Sequence, residues 1–383
     1  MRSSILTGIA AISLAACGDA SSSTSPAPRS PARFETNPAG AATGAVFTET
    51  NAVAGNAVVA FSRAADGSLT YAGTFSTGGN GIGGTNDPLT SQYSLLLDGA
   101  DRLLFVVNAG SNSVSVFRVD GATLSLVGTT SSGGSLPVSL ALAGNTLYVL
   151  NAGSNSIAGF DVTEGGGLTP NPSASAPLGA GASGAAAVRA SRDGRFLVAT
   201  EKGSESIDVF PIGARGALGT PVRSASIGIT PFGFDFVNGG ELAVSEAGSA
   251  ATSLYSLARD GSLGVDAPSV STNGQAATCW LIATTDGRFV YTANAGSGTI
   301  SGYAVGAQGT LQLLTASGVS GSTGAGSTPL DLDLSRGDGF LYVLESGTGR
   351  IGAFAVSANG SLTSLAGIGG LAPQSGFQGL AAY

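Results

Sequence analysis

The chain has 383 residues with 61 glycines, two cysteines, no histidine and a formal net charge of −8. The acidic balance, without any lysine or arginine cluster, argues against nucleic-acid binding. The lack of histidine and of a Cys-x-x-Cys-His disfavours a redox or haem role.

At the start of the chain, Arg2 precedes the short apolar run from Ile5 to Leu14, and Leu14-Ala15-Ala16-Cys17 follows. That run is too short to span a bilayer and has the proportions of a secretory signal. Small residues ending in cysteine resemble the bacterial lipobox. The resemblance implies a signal peptide over 1–16, cleavage before Cys17 and acylation of that residue, with several acyl chains giving a stable anchor. Residues 18–40 are mostly Ser, Pro, Ala and Gly, and a disordered tether is expected over 17–43. With Cys17 acylated, Cys279 is left without an intramolecular disulfide partner and is expected to be a buried small hydrophobe.

From residue 44 to 383 one unit recurs seven times. An apolar strand ends near an Asn or Glu, a short Gly/Ser turn follows, and a β-branched strand ends in an aromatic. The copies begin at Val46, Leu104, Leu147, Leu197, Leu242, Val290 and Leu341. Tight-turn pairs precede or follow them, among them Asp66-Gly67, Asp193-Gly194, Asp260-Gly261 and Asn359-Gly360. Such pairs tolerate the positive φ that hairpins need. Four-stranded antiparallel repeats of this kind predict an all-β fold, a seven-bladed β-propeller with strands a to d in each blade. The first copy lacks a strand a, whereas Phe377 to Ala382 is a strand a with no b after it. The C-terminal strand is therefore expected to close the first blade and the ring.

With this strand order, the b–c turns and the long d–a connections share one face, and the a–b and c–d hairpins the other. Long loops on a rigid scaffold are favoured places for function. The b–c turns predict a ring of Asn51, Asn108, Asn151, Glu201, Glu246, Asn294 and Glu345, with Lys202 next to Glu201. A feature present in every blade reads first as architecture, the Asn side chains bridging their own turns. The Glu residues that break the pattern, Glu201 and Glu246 above all, are the candidate bases or cation ligands, and a divalent cation such as Ca²⁺ is the cofactor they would suit. On the inner strands, Gln92-Tyr93, Arg189, Trp280, Asp331 and Asp333 depart from the Ala/Val/Leu background.

Three segments, Ser191 to Leu197, Thr285 to Asn294 and Ser297 to Tyr303, together with the repeat count, resemble the lactonase-type propeller family that includes 6-phosphogluconolactonase and carboxymuconate cyclase relatives. The resemblance covers roughly 44–383 and implies hydrolysis of a sugar lactone or similar small ester. Catalytic members carry Pro-Arg-His at the start of an inner strand; the matching places here read Pro137-Val138-Ser139, Pro231-Phe232-Gly233 and Pro329-Leu330-Asp331. Imidazole catalysis is excluded, leaving carboxylate-driven or metal-assisted chemistry. Two roles follow: an envelope-anchored lactonase-like hydrolase, or a non-catalytic propeller holding a glycan, peptide or envelope protein. In both, the chain is a monomer attached to the membrane only through its lipid, with the domain in the periplasm or outside the cell.

Overall fold

A computed structural model describes residues 34–35, 41–100, 102–307 and 309–383. Its strands form seven separate antiparallel sheets arranged as the blades of a propeller. Five sheets have four strands, and the third and sixth gain a short fifth strand, Ala176–Pro177 and Gly321–Ser322. Helical structure among the described residues is limited to four three-residue 3₁₀ turns, and no helix is long and apolar enough to cross a membrane. The proposed signal peptide and Cys17 lie outside the described residues.

The first sheet has the predicted closure. Strand Ala42–Glu49 pairs with Ala57–Ala64 on one side and with the C-terminal strand Gln378–Ala382 on the other. A sheet edge left unpaired at this seam would expose a row of backbone donors and acceptors to mispairing. Arg63 reinforces the closure, its Nε donating to the Tyr383 carbonyl at 2.9 Å.

Neighbouring blades are tied by a recurring contact. A tyrosine on strand b donates its hydroxyl to the glycine carbonyl in the c–d turn of the next blade: Tyr148 to Gly216, Tyr291 to Gly360 and Tyr342 to Gly67, each at 2.8 Å. Each bond contributes about 1 kcal/mol. The turn glycines serve twice. Gly67 has φ +85° and Gly360 φ +80°, and a Cβ at either position would sit 2.5 Å from a ring atom of Phe340 or Phe289 in the preceding blade. The Asp-Gly and Asn-Gly turns are thus also interfaces between sheets.

One expectation needs correction. Phe34 and Glu35, assigned to an unpacked tether, are docked. The Phe34 ring stacks on Tyr71 at 3.9 Å, while Glu35 pairs with Arg350 at 2.8 Å and accepts from the Gly369 backbone at 3.0 Å. One aromatic and one charge suffice because they fall on partners from the first and last blades. Cys279 is fully buried, as expected.

Because the ring closes through six C-terminal residues, a chain ending at Phe377 should lose cooperative unfolding in a thermal melt followed by circular dichroism. An unchanged melting curve would contradict the closure.

Candidate functional site

The predicted ring of Asn and Glu is real but shifted in one blade. Strand b ends at Asn108, Asn151, Glu201, Glu246, Asn294 and Glu345, and the equivalent residue in the first blade is Glu49. Asn51 lies two residues further on, in a longer b–c turn. Its Oδ1 accepts from Ile82 N at 3.0 Å and its Nδ2 donates to the Gly83 carbonyl at 3.2 Å, fixing the following d–a loop.

The ring side chains are consumed inside the blades. Glu201, wholly buried, accepts two bonds from the Arg223 guanidinium at 2.9 and 2.7 Å and one from Ser204 Oγ at 2.6 Å. Arg223 also pairs with Asp208 at 3.0 Å; burial and the nearby Glu201 push that carboxyl up to about 6. Glu246, also wholly buried, accepts from the hydroxyls of Ser253 and Ser269. Asn108 and Asn294 donate to Ser115 and Ser301 on strand c at 2.8 and 2.9 Å. Asn151 donates to the Ser132 carbonyl at 3.1 Å, and Glu345 accepts from Thr348 at 3.1 Å. Glu49 accepts from Asn56 at 2.6 Å, and burial pushes its carboxyl up to about 8. The candidate catalytic pair Glu201 and Glu246 therefore serves blade structure, and neither carboxylate is open to solvent. Nor do the described residues bring three or more His, Cys, Asp or Glu side chains together as a metal-binding group, so the expected cation has no assembled ligand set among them.

The inner-strand residues behave differently. The second blade's inner strand is only Leu95–Leu97, because residues 90–94 leave its path and cross the channel. Thr90 and Tyr93 adopt positive φ, 49° and 66°, each costing about 1–3 kcal/mol. The crossing segment is bonded to inner strands around the ring. Ser91 Oγ donates to Val138 O at 2.8 Å, and Ser91 O accepts from Trp280 Nε1 at 2.8 Å. Gln92 N donates to Ala186 O at 3.0 Å, while its side-chain amide pairs with both backbone groups of Leu281, at 2.6 and 3.2 Å. The Tyr93 hydroxyl reaches Phe234 O at 2.7 Å. Lys202 secures the loop-face end of this plug, its ammonium donating to Thr90 O at 2.9 Å and lying 5.7 Å from the Phe232 ring centre. Burial lowers the Lys202 pKa and raises that of neighbouring Asp87, each charge partly offsetting the effect on the other.

On the hairpin side of the plug the mouth is open. A cavity of about 200 Å³ is lined by Leu97, Leu140, Arg189, Arg192, Asp235 and Phe236 among others. Arg189, Asp235 and Asp333 occupy the same register on the inner strands of blades four, five and seven, opposite Val198, Ala243 and Tyr342. Equal register brings their side chains to one level. Arg189 Nε lies 2.8 Å from Asp235 Oδ1, and its guanidinium stacks 4.6 Å from the Tyr93 ring centre with about a third of the side chain exposed. Asp235 is held by Phe236 N at 2.7 Å and Ala283 N at 3.1 Å. Asp333 is half-buried and accepts from Leu334 N and Ala382 N, both at 2.9 Å. Burial pushes its carboxyl up to about 7 against those bonds and the pull of Arg189. Asp331, two residues earlier, is deeply buried and raised further, chiefly by burial.

The sequence marked Arg189, Asp331 and Asp333 as departures but missed Asp235. The missing signal was alignment of the inner strands by their partners on strand b, which puts Asp235 level with Arg189.

Fold and site together define a seven-bladed propeller with a plugged channel and an Arg–Asp cluster at one mouth. A model of the lactonase seven-bladed β-propeller family matches residues 54–179, 171–282 and 265–370, and the chain belongs to that family. A Bacteroides fragilis NCTC 9343 protein, provisionally assigned as a 6-phosphogluconolactonase, superposes with a TM-score of 0.69 at 18% identity, covering 91% of this chain and 100% of its own. A Lactobacillus plantarum protein gives 0.70 at 17% identity, over 88% and 98%. The periplasmic gluconolactonase of Pseudomonas aeruginosa gives 0.65 at 19% identity, over 88% and 99%. At these identities the structures share the fold. No curated protein sequence matches the chain.

Replacing Glu201 by Ala removes the two-bond partner of Arg223 and leaves Asp208 as its remaining counter-charge, and losing such charge-assisted hydrogen bonds costs about 1.5–3 kcal/mol. Urea unfolding should register that loss. A change below about 1 kcal/mol would return Glu201 to the list of functional candidates.

Proposed function

We propose that the chain hydrolyses a small lactone at the hairpin-face mouth, with Asp333 as general base and Arg189 as the electrostatic partner of the substrate. The observation that carries this reading is a partly exposed guanidinium lining an open cavity, with the half-buried Asp333 carboxyl at the same strand register, where burial pushes it up to about 7. A base poised near the working pH combines availability with driving force. Family membership supports the same class of reaction.

In the proposed reaction Arg189 donates to the lactone carbonyl oxygen, favouring the negative charge that develops there. Asp333 takes a proton from water as the water oxygen bonds to the carbonyl carbon. The ring C–O bond then breaks, and the leaving alkoxide recovers the proton from Asp333, giving a hydroxy acid. Asp235 holds Arg189 in place. Only deprotonated Asp333 can act as base, so kcat/KM should rise with pH up to about 7 and then level off.

Asp333→Asn should reduce kcat by about 100-fold or more on a responsive lactone, measured by proton release over a panel that includes glucono-δ-lactone. Wild-type inactivity across the panel, or an Asp333→Asn enzyme with the wild-type rate and pH profile, would contradict the reading.

The second reading is a non-catalytic propeller that binds a glycan, peptide or envelope protein. It is favoured by the plug and by the absence of the family's Pro-Arg-His, and it predicts wild-type binding of an aldonate with no turnover of the lactone.

We also infer that the mature chain is held at a bacterial envelope membrane by acyl groups on Cys17, with the propeller in the periplasm or outside the cell. The lipobox-like sequence supports this. Fatty-acid labelling should mark the wild-type protein and not Cys17→Ser. Recovery of a Cys17–Cys279 disulfide from the mature protein would contradict the anchor, because one thiol cannot carry both bonds.

A further inference from the structure

The mouth at Arg189 does not end at the channel rim. A second cavity, of about 480 Å³, opens between the hairpins of blades two and three and shares Gly99 and Leu142 with the first. Both flanking hairpin tips carry glycine. A Cβ built at Gly99 or at Gly144 meets no atom within 4 Å, so neither glycine is required by close packing and the gap between the tips is free space.

The lining has a distinct chemistry. Its rim carries Asp98, Arg102, Asn145 and Glu164, and its floor includes the half-buried Leu103 and Val162. Among the described residues, neither Arg102 nor Glu164 enters an ion pair. Among the described lining residues, two carboxylates against one guanidinium disfavour a phosphate or a second carboxylate. Hydroxyl groups suit both signs of charge, since they donate to Asp98 and Glu164 and accept from Arg102 and Asn145. A pyranose ring has hydroxyl-bearing edges and an apolar face of C–H groups, matching polar walls over an aliphatic floor.

We propose that this groove is a glycosyl subsite and that the substrate class is the lactone of a di- or oligosaccharide, with the lactone ring at Arg189 and the next sugar between Gly99 and Gly144. The proposal rests on the hydrolytic site described above for its position, while the groove itself is tested by binding alone.

The test is isothermal titration of the full-length protein with gluconate and with a disaccharide aldonate, cellobionate or maltobionate. Wild type should bind a disaccharide aldonate at least about tenfold more tightly than gluconate, a plausible gain for one additional occupied subsite. Asn145→Trp and Glu164→Trp, both at exposed positions on the groove wall, should reduce that advantage to less than about twofold, with thermal melts verifying that each variant is folded. Equal affinity for both aldonates in wild type, no binding of either, or a preference that survives both folded variants would overturn the subsite. Disaccharide preference without turnover of the matching lactone supports the groove and overturns the hydrolytic reading. Turnover without preference overturns the groove alone.

Discussion

The side-chain amide of Gln92 pairs with both backbone groups of Leu281 across the axis of the propeller, and the organisation of the centre depends on that span. A strand a that ran straight along its blade could not make it. The second blade therefore gives up most of its inner strand and accepts left-handed backbone at Thr90 and Tyr93. In return, the crossing segment satisfies polar groups on four other inner strands and excludes solvent from the middle of the channel. Gly233 belongs to the same arrangement, since a Cβ there would collide with the Gln92 amide oxygen.

The plug divides the molecule chemically. On the loop face the charged groups are spent on structure: Lys202 holds the crossing segment, and Glu201 and Glu246 knit strands within their blades. On the hairpin face, Arg189, Asp235 and Asp333 share one level, and the first two line a cavity. The closing strand reaches the Asp333 carboxyl through the Ala382 amide, whose hydrogen bond pulls the pKa down against the rise that burial imposes. Ring closure and the chemistry of the mouth are thus coupled through a single hydrogen bond.

How far the sequence could be read follows from how local each signal is. Blade count and strand order were legible because Asp-Gly and Asn-Gly turns specify their own hairpins, and the orphan strand at the C-terminus needed only an unfilled place in the first blade. The mistake of taking Asn51 for Glu49 arose where the first b–c turn is longer than its counterparts; the Asn51 amide and the Thr50 hydroxyl both close on Asn56. Roles for Glu201 and Glu246 were not legible, because Arg223 and Ser269 meet them from strand d, more than twenty residues away in the chain. The docking of Phe34 and Glu35 depends on partners at both ends of the chain, and composition carries no trace of such a contact.

In the proposed reaction the ligand enters from the hairpin face, because Arg189 and the open cavity lie on that side of the crossing segment. The most direct measurement is a crystal structure of the protein soaked with an aldonate product. The account predicts the carboxylate against Arg189 and beside Asp333, with the plug from Thr90 to Ser94 unmoved. An aldonate bound on the loop face above Ser91 and Lys202, with the hairpin-face mouth empty, would contradict it.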